Sequence, residues 1–318
     1  MTEYRARSQS LFPTRHLNMN IEQLNADYGI ADKVKFVEGS GGFPLIEINN
    51  EHARATISVY AGQVLSFQPA TKSEVMFLSS QAYRQAGKAI KGGAPICWPW
   101  FGPDPKDKGR PNHGFVRNRL WQMRDVVSTQ DGATQVIMGL VDTAETRKIW
   151  DYSFDLAIAI TVGSVLTIEL ITRNTGKQSF FITQALHSYF TIGNIEQVTV
   201  LGLADKRYID KVDEGKQKTQ AGEITFSGEC DRIYLDVPAE LAIEDRQLNR
   251  KIEITATNSK TAIVWNPGAE ISASMADLGD RDYLNFVCVE TANAADEVIT
   301  IAAGETYKMT ARYAVSEI

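Results

Sequence analysis

The sequence predicts an all-β protein, a large β-sandwich of two or more packed sheets with few short helices. Three observations lead there. Apolar residues recur at every second position in several stretches, turn residues punctuate those stretches at short spacing, and a single segment carries a clear helical signal. In chain order, residues 20–28 read as that helix, with Asn20 as cap, Glu22 as an early acid and Gly29 as the stop. Residues 55–60 and 135–141 are rich in β-branched and apolar side chains and read as strands, and 145–150 has room for a few helical turns. Residues 165–172, 197–203 and 298–302 continue the strand pattern. Alternation is strictest in 251–257, where Ile252, Ile254 and Ala256 share a face, and in 307–313, where Tyr307, Met309, Ala311 and Tyr313 alternate with Lys308, Thr310 and Arg312. Successive side chains leave opposite faces of a strand, so this period marks half-buried strands. Gly163-Ser164, Asn174-Thr175-Gly176, Gly193-Asn194, Asn258-Ser259-Lys260 and Ala303-Gly304-Glu305 supply turns between them. There is no linker and no internal repeat, so one domain over 1–318 is expected, with about 1–30 as an N-terminal extension packing on it.

Composition narrows the function. The 318 residues carry 33 Lys+Arg against 39 Asp+Glu, a net charge of −6. An acidic chain lacks the positive surface that neutralises phosphates, so no nucleic-acid partner is expected. The longest apolar stretch, 156–168, falls short of the roughly 20 residues of a spanning helix, so no membrane partner is expected either. The first twenty residues hold no apolar core of signal-peptide type. Cys97, Cys230 and Cys288 are scattered and form no C-x-x-C, which points to a reduced, cytoplasmic protein.

Phosphate-cradling loops and a G-x-S-x-G elbow are missing, and Gly39-Ser40-Gly41-Gly42 is only a weak echo of the former. His16, His52, His113 and His187 are neither paired at i,i+4 nor grouped with cysteine at zinc spacing. Asp277, Asp280 and Asp282 form an acidic cluster that reads as a cation site or as a solvated loop. Chemistry must therefore come from dispersed residues, which leaves cofactor-free acid–base work: no cofactor and no metal are expected.

Four constellations qualify. Residues 95–118 are rich in Pro, Gly, Trp, Lys and Arg without a period, and long loops on rigid sandwiches are common places for function. There Lys91 and Arg117 can hold an anion, and Gly92-Gly93 lets a ligand approach the backbone. His113 can donate to a sugar hydroxyl, and Trp98, Trp100 and Phe101 are either a sugar platform or core. His187 lies in an otherwise apolar strand, where a lone His is usually a satisfied core group. Glu290 stands at the end of an apolar strand, as a desolvated base with a raised pKa or as half of a buried salt bridge. Asp231, in Asp231-Arg232-Ile233-Tyr234, can accept from sugar hydroxyls, although alone it passes for an ordinary turn.

In this order the stretch 91–117, the His187 strand, the D-R-I-Y tetrapeptide and the C-V-E strand resemble the hexose-6-phosphate mutarotases, or glucose-6-phosphate 1-epimerases, of the galactose-mutarotase-like superfamily. Residues 62–66, 74–79, 264–267 and 275–277 add to the likeness, which runs from about 36 to 315. The resemblance implies a galactose-mutarotase-like supersandwich and a hexose 6-phosphate as small-molecule substrate; a monomer is expected. The family's general acid falls on His187 and its general base on Glu290. Its substrate-binding positions fall on Lys91, Asn112, Arg117 and Asp231, with His113 in the same loop. Lys91 replaces a common Arg and Asn112 a common Gln; Lys keeps the charge but loses the bidentate fork.

The implied reaction is ring opening and closure between anomers. A non-catalytic sugar-binding protein, an epimerase of unphosphorylated aldoses and a two-carboxylate glycosidase using Glu290 and Asp231 are the alternatives. Charge along the chain favours a phosphorylated ligand. Residues 81–120 hold eight bases and two acids, a net +6 that leaves −12 for the rest of a chain of net −6. A local basic segment concentrates a small anion while the whole repels long polyanions.

Overall fold

The computed structural model describes residues 20–318, so His16 and most of the expected N-terminal extension lie outside the described residues. Among the described residues, two eight-stranded antiparallel sheets and one four-stranded sheet make up most of the fold. The first large sheet runs, edge to edge, through Val198–Leu201, Glu240–Asp245, Arg250–Thr257, Thr306–Glu317, Leu166–Asn174, Phe154–Val162, Thr134–Val141 and Gln122–Ser128. The second runs through Lys216–Thr219, Arg207–Asp210, Cys230–Leu235, Thr261–Asn266, Phe286–Asn293, Gln184–Leu186 and Ile96–Cys97, with Tyr189–Thr191 also paired to Phe286–Asn293. Val34–Glu38, Pro44–Asn49, Ala53–Ser58 and Gln63–Pro69 form the small sheet, and Phe180–Ile182 pairs with Ile299–Ile301 in a separate ribbon.

The expected sandwich is the fold observed. In Leu166–Asn174, Leu166, Ile168, Leu170 and Thr172 are buried, while Thr167, Glu169 and Ile171 are only partly so. The buried faces of the two large sheets meet across bulky side chains. The rings of Phe190 and Tyr313 lie 5.1 Å apart, Tyr313 Oη and Ser188 Oγ are 2.6 Å apart, and Trp98 Nε1 donates to Thr172 Oγ1 at 3.0 Å. Each large apolar side chain removed from water here contributes about 1.5–3 kcal/mol.

Helix Ile21–Tyr28 is capped as expected, with Asn20 Oδ1 accepting from the Glu22 amide at 2.8 Å. Gly29 stops it in extended backbone, where a Cβ would lie 2.5 Å from the Asn25 carbonyl. Asn25 then bonds both the amide and the carbonyl of Phe36 at 2.8 Å, which ties the helix to the small sheet. The turns expected near 145–150 are helix Ala144–Ile149, whose Thr143 and Thr146 cap each other reciprocally.

Three local expectations are corrected, and one open choice, that between platform and core for Trp98 and Trp100, falls to core. The D-R-I-Y tetrapeptide is no turn, because Asp231 lies inside strand Cys230–Leu235 opposite Trp265. Glu290 is not at a strand end, because Phe286–Asn293 continues past it. The Gly92-Gly93 pair meets the protein's own backbone: a Cβ on Gly93 would lie 2.1 Å from the Val64 carbonyl, and one on Gly92 2.4 Å from that of Phe77. Trp98 and Trp100 are core, at 0% and 3% exposure, and offer no platform to a sugar.

Candidate active site

Strand Phe286–Asn293 is buried along its whole length, yet its two faces differ chemically. Val287 and Val289 point into the main core between the sheets. Cys288, Glu290 and Ala292 point the other way, over the outer face of the second sheet, where small apolar clusters surround Cys288 and Ala292. His187 reaches that face from a two-residue break between Gln184–Leu186 and Tyr189–Thr191. There its amide bonds the Pro95 carbonyl at 2.9 Å instead of the neighbouring strand. The long loop therefore helps to hold the imidazole in place.

His187 Nδ1 lies 3.2 Å from Glu290 Oε1. The two are close enough to share a charge but not aligned as a hydrogen bond, and His187 Nδ1 and Glu290 Oε2 are both buried without a hydrogen-bond partner. Burial, then the charge of Asp231, push the Glu290 carboxyl well above its ordinary value, against the pull of Arg117. Burial also holds His187 well below its ordinary value, helped by His113, Arg117 and Lys91. Tyr189 stacks on the imidazole, 4.9 Å away and 8° from parallel, and Trp265 meets it edge-on at 5.8 Å.

His113 closes another side, with its ring 5.8 Å from that of His187. It adopts left-handed backbone at φ 63°, and its Nδ1 accepts from the Gly102 amide at 3.3 Å. That bond assigns the proton to Nε2, leaving an N–H free to donate elsewhere. Burial, with Arg117 and Lys91, pushes His113 down to about 3, so it is neutral at neutral pH. Asp231 sits on the same sheet face and is pushed up to about 6, mainly by burial.

Beside the pair opens a cavity of about 190 Å³ lined by Lys88, Lys91, Arg117, Tyr189 and Asp277, among others. Lys91 Nζ is 3.6 Å from Asp277 Oδ1 and 3.9 Å from Met275 Sδ. Arg117 donates to the carbonyl of Asn112, which is itself exposed. All the expected site residues thus lie on or beside one sheet face, with Asn112 at its rim. Within the acidic run, Asp277 pairs with Lys91, while Asp282 accepts from Ser79 Oγ and the Gly279 amide. Lys88, Tyr189 and Trp265 were not singled out as site residues, and Asp277 was singled out only within the acidic run. Trp265 and Asp277 stand within 264–267 and 275–277, two of the stretches that carried the resemblance.

The basic segment is divided. Lys88, Lys91 and Arg117 serve this cavity. Arg110 is held by Asp104 and lies 4.2 Å over the Trp100 ring, and Arg119 pairs with Glu145 at 2.9 Å beside a separate cavity of about 500 Å³.

A desolvated carboxyl and imidazole side by side, with the neutral His113 next to them and a cavity lined by Lys88, Lys91 and Arg117, make up a polar site on the outer face of a β-sandwich. Residues 44–314 match the aldose 1-epimerase family, and the chain belongs to it. It is 38% identical over 253 residues to an Escherichia coli protein named "Putative glucose-6-phosphate 1-epimerase", covering 79% of this chain and 84% of that one. The crystal structure of a "putative mutarotase" from Salmonella typhimurium superposes with a TM-score of 0.85 at 33% identity, over 94% of this chain and 99% of that one. A galactose mutarotase-like protein from Lactobacillus casei shares the fold at 15% identity, with a TM-score of 0.67 over 86% of this chain and all of that one. No helix among the described residues is long and apolar enough to cross a membrane.

Proposed function

We propose that this protein, as one domain, interconverts the α and β anomers of a hexose 6-phosphate without a cofactor. The observation that carries the reading is the desolvated His187–Glu290 pair beside a cavity rimmed by Lys88, Lys91 and Arg117. Glu290 takes the proton of the anomeric hydroxyl while His187 gives one to the ring oxygen. The C1–O5 bond breaks to an aldehyde, C1 turns about C1–C2, and O5 attacks the other face. Return of both protons restores the pair. Each positioned proton-transfer group contributes about 10²–10⁴-fold.

Proton counting is compatible with the site's electrostatics. Glu290 ionised with His187 protonated holds as many protons as neutral Glu290 with neutral His187. Burial raises the Glu290 pKa and lowers that of His187, so by itself it favours the form in which both are neutral. A sugar hydroxyl donating to Glu290 restores the solvation that burial removed. A phosphate on Lys91 and Arg117 offsets two of the charges that hold His187 down. Both effects move the proton to the imidazole, where the reaction needs it.

His113, through Nε2–H, and Asp231 would bind sugar hydroxyls, and Asn112 would border the phosphate. The relatives named for glucose 6-phosphate support the phosphorylated class over a free aldose. The three buried, unpaired cysteines support a reduced, cytoplasmic setting, in which we expect a monomer. NMR exchange between anomers at equilibrium tests the reading, using glucose, mannose and galactose 6-phosphates beside glucose. Exchange no faster than without protein for all four sugars would overturn it.

A further inference from the structure

The fold joins three residues that sequence spacing keeps apart. One ligand atom each of His187, Cys288 and Glu290 lie within 4.8 Å of one another. Imidazole nitrogen, thiolate sulfur and carboxylate oxygen are the donor types of zinc sites, at about 2.0–2.3 Å from the ion. Tetrahedral placement at those lengths separates donors by about 3.3–3.8 Å. The 3.2 Å between His187 Nδ1 and Glu290 Oε1 is already close to one such edge, so small side-chain shifts would bring the third donor in. A second observation also points to a ligand. His187 Nδ1 and Glu290 Oε2 lack hydrogen-bond partners, on residues only 9% and 1% exposed.

We propose that His187, Cys288 and Glu290 form a three-donor site for a thiophilic divalent cation of the Zn²⁺ class, and that its occupation inhibits the enzyme. Binding displaces two protons, one from the Cys288 thiol and the one shared by the Glu290–His187 pair, and releases both to solvent; nothing is oxidised. With thiolate and carboxylate both negative, the occupied site is neutral, which limits repulsion by Lys91 and Arg117. The ion takes the lone pairs that the acid and base need. Mg²⁺ and Ca²⁺, which demand oxygen ligands, do not suit the set. The site itself follows from geometry alone; only its inhibitory effect rests on the proposed function.

The test uses the full chain, treated with chelator and kept free of thiol reductants. Titration with Co²⁺ should produce one equivalent of near-ultraviolet thiolate-to-cobalt charge-transfer absorption, reversed by Zn²⁺. Cys288→Ala should lack that band, and Cys230→Ala should keep it. Zn²⁺ should suppress anomer exchange in the wild type, and Cys288→Ala should need at least ten-fold more for the same fractional loss, with Mg²⁺ ineffective on both. No band at millimolar Co²⁺, or an unchanged band in Cys288→Ala, would overturn the site. An unchanged Zn²⁺ response in Cys288→Ala would overturn the inhibition. The band with no anomer exchange in the metal-free protein would support the site and sink the proposed function instead.

Discussion

Glu290 stands opposite His187 in the antiparallel register. The pairs Leu186–Thr291 and Tyr189–Cys288 bracket them, and Ile263 pairs Glu290 from the other side. The strand that carries His187 leaves the ladder for two residues at this point, so the imidazole approaches the carboxyl without ladder hydrogen bonds between their backbones. A sheet interior supplies what a strand end would not: a carboxyl walled by neighbouring strands on both sides and shut off from water.

Glu290→Gln should lower kcat at least 10²-fold. The amide matches the shape of the neutral acid that burial favours, so the variant should stay folded, as near-ultraviolet circular dichroism would report. A folded variant turning over at the wild-type rate ends the base assignment.

Arg117→Ala and Lys91→Ala should each raise KM for a hexose 6-phosphate far more than for the free hexose. Asp277→Asn separates tethering from charge. If Asp277 holds Lys91 in place, KM for the phosphate rises several-fold. A fall in KM would mean that Asp277 merely competes with the substrate for Lys91.

The pair must keep its single proton, so activity falls as pH rises through the pair's apparent pKa. Burial, then His113, Arg117 and Lys91, hold His187 low. A bound phosphate offsets the last two, so the alkaline limb of kcat should lie at higher pH for a hexose 6-phosphate than for the free hexose. Arg117→Ala should raise the free-hexose limb as well. Coincident limbs for both sugars in the wild type would remove the coupling.

His113 contributes stability through its lowered pKa. In the unfolded chain it protonates near 6.5, and in the folded protein only at about 3. Its contribution is whole above 6.5 and is lost as pH falls toward 3, by up to about 1.4 kcal/mol per pH unit. His187, also held low, acts in the same direction. His113→Asn, which tolerates the left-handed backbone, should reduce the fall in denaturant midpoint between pH 7 and 5.

Gly93→Ala should destabilise by several kcal/mol or abolish soluble expression. Its φ is 64° and the new Cβ would lie 2.1 Å from the Val64 carbonyl. Gly87→Ala, at φ 80° with nothing within 4 Å, carries only the backbone term of about 1–2 kcal/mol. Equal Tm losses in the two would refute the packing role.

The sheets were legible in the sequence because side-chain period is a local property: 251–257 and 307–313 alternate, and they are paired strands here. The Asn20 cap was legible for the same reason, since its partner is two residues away. The identities of His187, Glu290, Asp231, Lys91 and Arg117 were within reach through an ordered resemblance. Their environment was not. Whether Glu290 ended a strand or sat within one depended on its pairing with Ile263, 27 positions away, and on the pairing of its strand with Gln184–Leu186 and Tyr189–Thr191, which together dry the carboxyl and raise its pKa. The +6 of 81–120 was a sum along the chain, whereas the fold sends Lys88, Lys91 and Arg117 to one cavity and Arg110 and Arg119 to other partners. Cys288 met His187 only across the sheet. Local pattern determined the strands and the kinds of groups available; long-range packing alone decided which were desolvated, which were paired and which faced one another.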